Sequence, residues 1–207
     1  CGWGGFSSYA AKNFKSKIDA ITISKEQYEY ASNKIQKEGL GEKVSIKFKD
    51  YRDIDNQYSN IASIEMFEAV GKKYWENYFD IVSNALINSG KAALQIITID
   101  ENRSFKYQNQ PDFIQQYIFP GGMLPTKKEL LEINKKVGLD FKEIQNFGLS
   151  YAKTLNLWNI QFQSSWNDLV KLGFNNRFKR MWEFYLAYCE TGFISKSTDV
   201  SHFLITK

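Results

Sequence analysis

CGWGGFSSYAAKNFKSKIDAITISKEQYEYASNKIQKEGLGEKVSIKF, residues 1–48, decides the fold. Gly2, Gly4 and Gly5 open it and lead into residues 6–14, which read as a helix. Residues 18–23 are short and β-branched, the pattern of a buried strand. Ser24 then stands where a helix N-cap belongs, and Gln27 follows at capping-box spacing. That helix is expected to reach Glu38 and to stop at Gly39 and Gly41. Residues 44–48 form the next strand. Helices and strands alternating at this spacing predict an α/β fold with a mostly parallel sheet.

The alternation continues outward. Residues 61–66 read as a strand, 75–88 as an amphipathic helix stopped by Gly90, and 92–99 as a strongly apolar strand. Residues 101–126 break the rhythm. They are rich in aromatic and amide side chains and carry Pro120, Gly121, Gly122 and Pro125 near their end. A long segment of this kind inside a domain predicts a substrate lid or binding insertion. Beyond it, 127–136 reads as a helix, 141–147 as a strand, and the regions near 155–172 and 177–188 as helices. Residues 203–207 are expected to close the chain as an edge strand. No internal repeat or low-complexity linker interrupts the sequence, so residues 1–207 are read as one domain.

Composition narrows the function classes. The 207 residues are 43% hydrophobic and 24% charged, an ordinary globular balance. There is no run of 18 apolar residues, so no transmembrane helix is expected. The net charge of +4 is mild and its lysines are interleaved with acids, which does not point to nucleic acid. Cys1 and Cys189 make no disulfide framework, and no metal-ligand cluster is apparent. The single histidine, His202, reads as structural or surface.

Cys1-Gly2-Trp3-Gly4-Gly5 places glycines where backbone can pass close to a nucleotide-like ligand, although Gly-x-Gly also occurs in ordinary turns. A dinucleotide site expects an acid at the end of the following strand. Here that segment is Thr22-Ile23-Ser24-Lys25-Glu26-Gln27, which disfavours a typical NAD site. After residues 44–48 comes Asp50-Tyr51-Arg52-Asp53, where a carboxylate can accept from an adenine amino group beside an aromatic ring; a polar loop is the plainer alternative.

Those three segments are followed, in order, by Ile64-Glu65-Met66-Phe67-Glu68-Ala69-Val70-Gly71, Tyr117-Ile118-Phe119-Pro120-Gly121-Gly122, Tyr151-Ala152-Lys153-Thr154-Leu155 and Trp182-Glu183-Phe184-Tyr185. The ordered set resembles the cyclopropane-fatty-acyl-phospholipid synthase (mycolic acid cyclopropane synthase-like) family of class I S-adenosylmethionine-dependent methyltransferases. The resemblance covers essentially the whole chain. It implies a Rossmann-like fold in which Cys1, Gly2 and Gly4 line the methionine end of S-adenosyl-L-methionine. Thr22, Ile23 and Gln27 would lie near the ribose, and Asp50, Tyr51 and Arg52 near the adenine. The first strand of that fold is expected ahead of Cys1, outside this sequence. The 207 residues alone are therefore expected to bind cofactor poorly and to fold poorly.

The implied reaction adds a methylene to the cis double bond of an unsaturated phospholipid acyl chain, with bicarbonate as the base. By resemblance Glu68 and Tyr151 contact that anion and the backbone of Ile97 completes its site. Gln95 stands where well-known members carry histidine; an amide still donates to an anion but does not ionise near neutral pH. Cys189 matches a family cysteine often proposed as functional, yet nothing near it in sequence indicates a thiolate, and it reads as pocket-lining or structural. The resemblance further implies a cytoplasmic enzyme peripheral to the inner membrane, docking through aromatics such as Phe105, Tyr107 and Phe113, and it allows a homodimer. The competing readings are a related methyltransferase acting on another lipid, a small amine or an alkene without ring closure, and an inactive cofactor-binding domain.

Overall fold

Gly4 takes a left-handed conformation (φ 78°) immediately ahead of helix α1 (Gly5–Asn13). A Cβ there would also lie 3.1 Å from the Cβ of Ala31, so both backbone and packing demand glycine. The computed structural model describes residues Cys1–Lys207, which divide into two units, Cys1–Tyr58 and Ser59–Lys207.

In the first unit, β1 (Ile18–Thr22) and β2 (Val44–Phe48) pair in parallel across α2 (Lys25–Lys37). Ala11, Ile35, Leu40 and Val44 are buried as its core, with Ile18 and Ile46 against them. Ser24 caps α2 by accepting from the Gln27 N–H, as the sequence predicts. The Gln27 side chain does not complete a capping box. Its Oε1 accepts from the Thr22 hydroxyl at 2.7 Å, tying the helix to the end of β1.

The second unit holds a four-stranded sheet ordered β3 (Tyr58–Ile64), β4 (Leu86–Ile99), β6 (Thr198–Thr206), β5 (Asp140–Asn146). Pairing in the chain is therefore mixed: β1 and β2 are parallel, while β6 runs antiparallel to both its neighbours. β6 is an inner strand, not the expected edge strand, and it begins at Thr198. Its polar start, Asp199, Ser201 and His202, is satisfied by partners on adjacent elements. Helix α3 (Trp75–Ala85) ends three residues short of the expected Asn88. The chain turns sharply at Ser89 (φ 65°) and Gly90, where a Cβ would meet the Ile87 carbonyl at 2.8 Å.

Residues 101–126 are not an irregular loop. They contain α4 (Glu101–Asn109) and α5 (Phe113–Tyr117), the latter closed by a capping box of Asp112 and Gln115. A second capping box, Thr126 with Glu129, starts α6 (Lys127–Lys136). Helices α7 (Gly148–Ser164) and α9 (Asn176–Ile194), with the short α8 (Trp166–Lys171) between them in sequence, pack around Ala152, Leu155, Leu186, Phe193 and Val200. No helix is long and apolar enough to cross a membrane.

Phe67 anchors the turn that follows β3. Fully buried, it lies 5.4 Å from Trp75, 5.1 Å from Tyr78 and 5.2 Å from Phe79 between ring centroids. Truncating it removes the common member of this cluster. Phe67→Ala is expected to cost about 3–5 kcal/mol in denaturant unfolding, against less than about 0.5 kcal/mol for Ile144→Ala at an exposed position. Equal losses for the two would contradict the assignment of Phe67 as the anchor.

Candidate active site

The first unit builds a nucleotide-like cradle. Gly2 is also left-handed (φ 53°), and a Cβ added there would meet nothing within 4 Å, so the turn presents open backbone. At the end of β1, the Thr22 hydroxyl accepts from the Ser24 N–H at 3.1 Å while donating to Gln27. The next residue, Ile23, leaves an apolar side chain 71% exposed. Asp50 caps the short turn Tyr51–Asp53. Its Oδ1 accepts from the Arg52 N–H and Nε, both at 2.9 Å, and its Oδ2 from Nη2 at 2.7 Å. The guanidinium holds the Asp50 carboxyl below its ordinary range. Of about four acceptor positions on a carboxylate, these bonds leave one on Oδ2 for an amino group. Open glycine backbone, an apolar face and a carboxylate acceptor fit the nucleoside and amino-acid ends of S-adenosylmethionine. Cys1 is exposed at the start of this cradle.

The second unit gathers the other sequence-derived candidates. Phe67–Ala69 forms a tight turn after β3 that carries Glu68 towards β4. Glu68 Oε1 accepts from the backbone N–H of Ile97 at 2.6 Å, which is the part played by Ile97. Glu68 Oε2 is buried without a partner. Burial, reinforced by the like charge of Glu65, pushes the carboxyl up to about 7. When protonated, Oε2 becomes a donor aimed at whatever fills the site.

Gln95, on β4, donates from Nε2 to the Tyr151 oxygen at 2.5 Å and to Glu65 Oε1 at 2.7 Å. Tyr151, on α7, in turn donates its phenol proton to Glu65 Oε1. Burial raises the Tyr151 phenol above its ordinary value, and the bond to Glu65 adds to this, so it stays a donor. Gln95 and Tyr151 thus both donate to Glu65 Oε1.

Glu65 and His202 are the two members the sequence reading did not assign. The Glu65 backbone is left-handed (φ 51°), a conformation no sequence pattern announces for glutamate. His202 sits opposite Gln95 in the β4–β6 register and contacts its Oε1 through Nε2 at 2.9 Å. It is structural, as expected, but structural within the site. Only the strand register reveals this.

Cys189 is packed against the Ala152–Phe193 cluster, and burial, with the nearby Asp112 charge, pushes its thiol up to about 12. Residues 101–126 reach the Glu68 backbone. The Met123 N–H donates to the Glu68 carbonyl at 2.8 Å, and the Leu124 N–H to the Tyr107 hydroxyl at 3.3 Å. Of the three aromatics expected on a docking surface, only Phe105 is exposed (82%). Tyr107 is half-buried in the lid, and Phe113 packs 4.6 Å from Phe184.

Residues 1–203 match the family model described as "Mycolic acid cyclopropane synthetase". The chain is 38% identical over 200 residues to the tuberculostearic acid methyltransferase UfaA1 of Mycobacterium tuberculosis, covering 96% of this chain and 47% of the relative. It is 34% identical over 200 residues to the cyclopropane-fatty-acyl-phospholipid synthase of Escherichia coli K12, covering 97% and 50%. The chain thus spans about half the length of these relatives. Its fold superposes on the mycolic acid cyclopropane synthase CmaA1, solved with SAH and CTAB, with a TM-score of 0.92 at 24% identity, covering 100% of this chain and 75% of that one.

Glu68 makes stability depend on pH with a definite sign. Its folded value near 7 lies above the ordinary 4.5, so between them the native state holds a proton the unfolded state releases. Stability is greatest at the acid end of that window and falls as pH rises through about 7. Between about pH 5 and about pH 8, Glu68→Gln is expected to abolish roughly 2–3 kcal/mol of this decline in urea unfolding. Identical slopes for wild type and variant would refute the burial of an ionisable carboxyl here.

Proposed function

The chain belongs to the mycolic acid cyclopropane synthetase family of S-adenosylmethionine-dependent methyltransferases, and on that premise we propose that it carries the methyl-transfer centre of an enzyme acting on the cis double bond of unsaturated phospholipid acyl chains. The observation that carries this reading is the cluster of Glu65, Glu68, Gln95 and Tyr151, a proton-handling group set among aromatic side chains. S-Adenosylmethionine, when bound, supplies a methyl group made electrophilic by its sulfonium.

The chain's own residues supply the rest. An alkene is a weak nucleophile, so alignment and exclusion of water carry much of the barrier. The lid segment 101–126, bonded to the Glu68 backbone through Met123, is suited to both tasks. The cation left by alkene attack is stabilised by π-rich walls. Tyr151 against Phe147 and Phe193, and Tyr185 against Phe119, are candidates for them. Protonated Glu68 holds its hydrogen on Oε2, beside the Glu65–Tyr151 pair. Exposed Phe105, Tyr117 and Phe119 on the lid support peripheral contact with a lipid surface.

A second reading keeps the acceptor and drops ring closure. The 38% identity to a tuberculostearic acid methyltransferase favours it, since that relative is named a methyltransferase rather than a cyclopropane synthase. Both outcomes need the same methyl donor and a base.

The whole protein, incubated with methyl-labelled S-adenosylmethionine and vesicles of cis-unsaturated phospholipid, is expected to place label in the acyl chains. Loss of all olefinic proton signals would identify cyclopropanation, and new terminal methylene signals the second reading. Label in added amines and none in lipid would overturn both.

A further inference from the structure

Glu65 ends β3 in a left-handed conformation that side-chain-bearing residues rarely adopt, and such positions concentrate at functional sites. Its backbone N–H donates to the Gln95 carbonyl at 2.9 Å. That bond and the twist of φ turn the carboxylate onto Gln95 and Tyr151. A line of donors stands behind them. Gln145 Nε2 lies 3.3 Å from His202 Nδ1, and His202 Nε2 lies 2.9 Å from Gln95 Oε1. With the His202 proton on Nε2, every hydrogen bond runs in one direction, from Gln145 through His202, Gln95 and Tyr151 to Glu65. Each bond polarises the next, and the line ends on a carboxylate. Both terminal donors go to Oε1, which leaves Oε2 as the free acceptor. Glu68, the other carboxyl in the site, is unsuited to that part, because Oε1 is held by the Ile97 N–H and its burial favours the protonated form.

We propose that Glu65 is the base of this site, a carboxylate built into the chain in the position a bicarbonate ion would otherwise occupy. The assignment rests on the methyl-transfer reading above. The alkene π pair forms the new carbon–carbon bond, and the pair of the breaking methyl–sulfur bond leaves with sulfur, which becomes a neutral thioether. Glu65 Oε2 then takes one proton from the added carbon. The electrons of that C–H bond close the three-membered ring or, after a hydride shift along the chain, form the double bond of a terminal methylene branch. No oxidant or reductant is required. Because Glu65 is exposed, the proton can pass from its carboxyl to water and reset the site.

The test uses the whole protein in carbon-dioxide-free buffer, with and without added bicarbonate, and compares wild type with Glu65→Gly and Glu65→Gln. Glycine accepts the left-handed backbone, so the first variant removes the carboxylate without straining the turn. Wild-type methyl transfer to lipid is expected to be independent of bicarbonate. Glu65→Gly is expected to fall about 100-fold or more and to recover about tenfold or more when bicarbonate is added, since a small anion then has Tyr151 and Gln95 to itself. Glu65→Gln should lose activity without recovery, because its amide still fills the place. A readout free of turnover accompanies this: bicarbonate, against chloride at equal ionic strength, should raise the melting temperature of Glu65→Gly and leave wild type unmoved. Bicarbonate-dependent wild-type activity, undiminished Glu65→Gly activity without bicarbonate, or equal melting shifts in the two proteins would each overturn the proposal. Absence of any methyl transfer by wild type would instead strike the methyl-transfer reading, and the melting comparison would still decide who holds the anion position.

Discussion

The antiparallel register of β4 against β6 is the constraint on which the site depends. It places Gln95 opposite His202 and Ile97 opposite Val200. Side chains alternate faces along a strand, so a slip of one residue would turn Gln95 into the core and bring buried Ile96 to the site. The register is held by burial on the opposite face, where Leu94, Ile96, Phe203 and Ile205 are all but inaccessible to solvent. Apolar packing on one side of the sheet thereby positions a polar network on the other.

Two carboxyls three residues apart are given different characters by this arrangement. Glu68 is carried inward by the turn anchored on Phe67, loses water, and gains one backbone donor. Glu65 stays at the strand end facing solvent, with an amide and a phenol as partners. The environment, rather than the residue type, separates a proton-holding carboxyl from a hydrogen-bond-accepting carboxylate. Cys189 follows the same logic. Burial pushes its thiol up, and it packs among the side chains between α7 and α9.

The lid is ordered by local chemistry that is easy to overlook among its aromatics. Two capping boxes order it, one at Asp112 near its middle and one at Thr126 at its end. Its return strand of chain is pinned by the Met123 N–H to the Glu68 carbonyl and by the Pro125 carbonyl to the Ile99 N–H. Segment 101–126 and the Glu65–Glu68–Gln95–Tyr151 cluster therefore share an anchor at the turn that carries Glu68.

The sequence by itself determined the alternating α/β order, the glycine turn, the Ser24 cap of α2 and the bounds of α6, and its motifs offered Glu68, Gln95, Ile97 and Tyr151 as the candidates that the fold brings near one another. These are legible because periodicity, capping and glycine placement act within a few residues, and because the ordered motifs carry the family's pattern. The tertiary structure alone decided that β6 is internal, that α3 stops before Asn88, and that Glu65 and His202 belong to the cluster. Asp199, Ser201 and His202 find their partners only when Lys127, Glu143 and Gln95 are brought alongside. A buried polar residue is stable only with partners, and here those partners lie 58 to 107 positions away along the chain. Local sequence reports what a segment prefers; which donors meet which acceptors is set by strand register and burial.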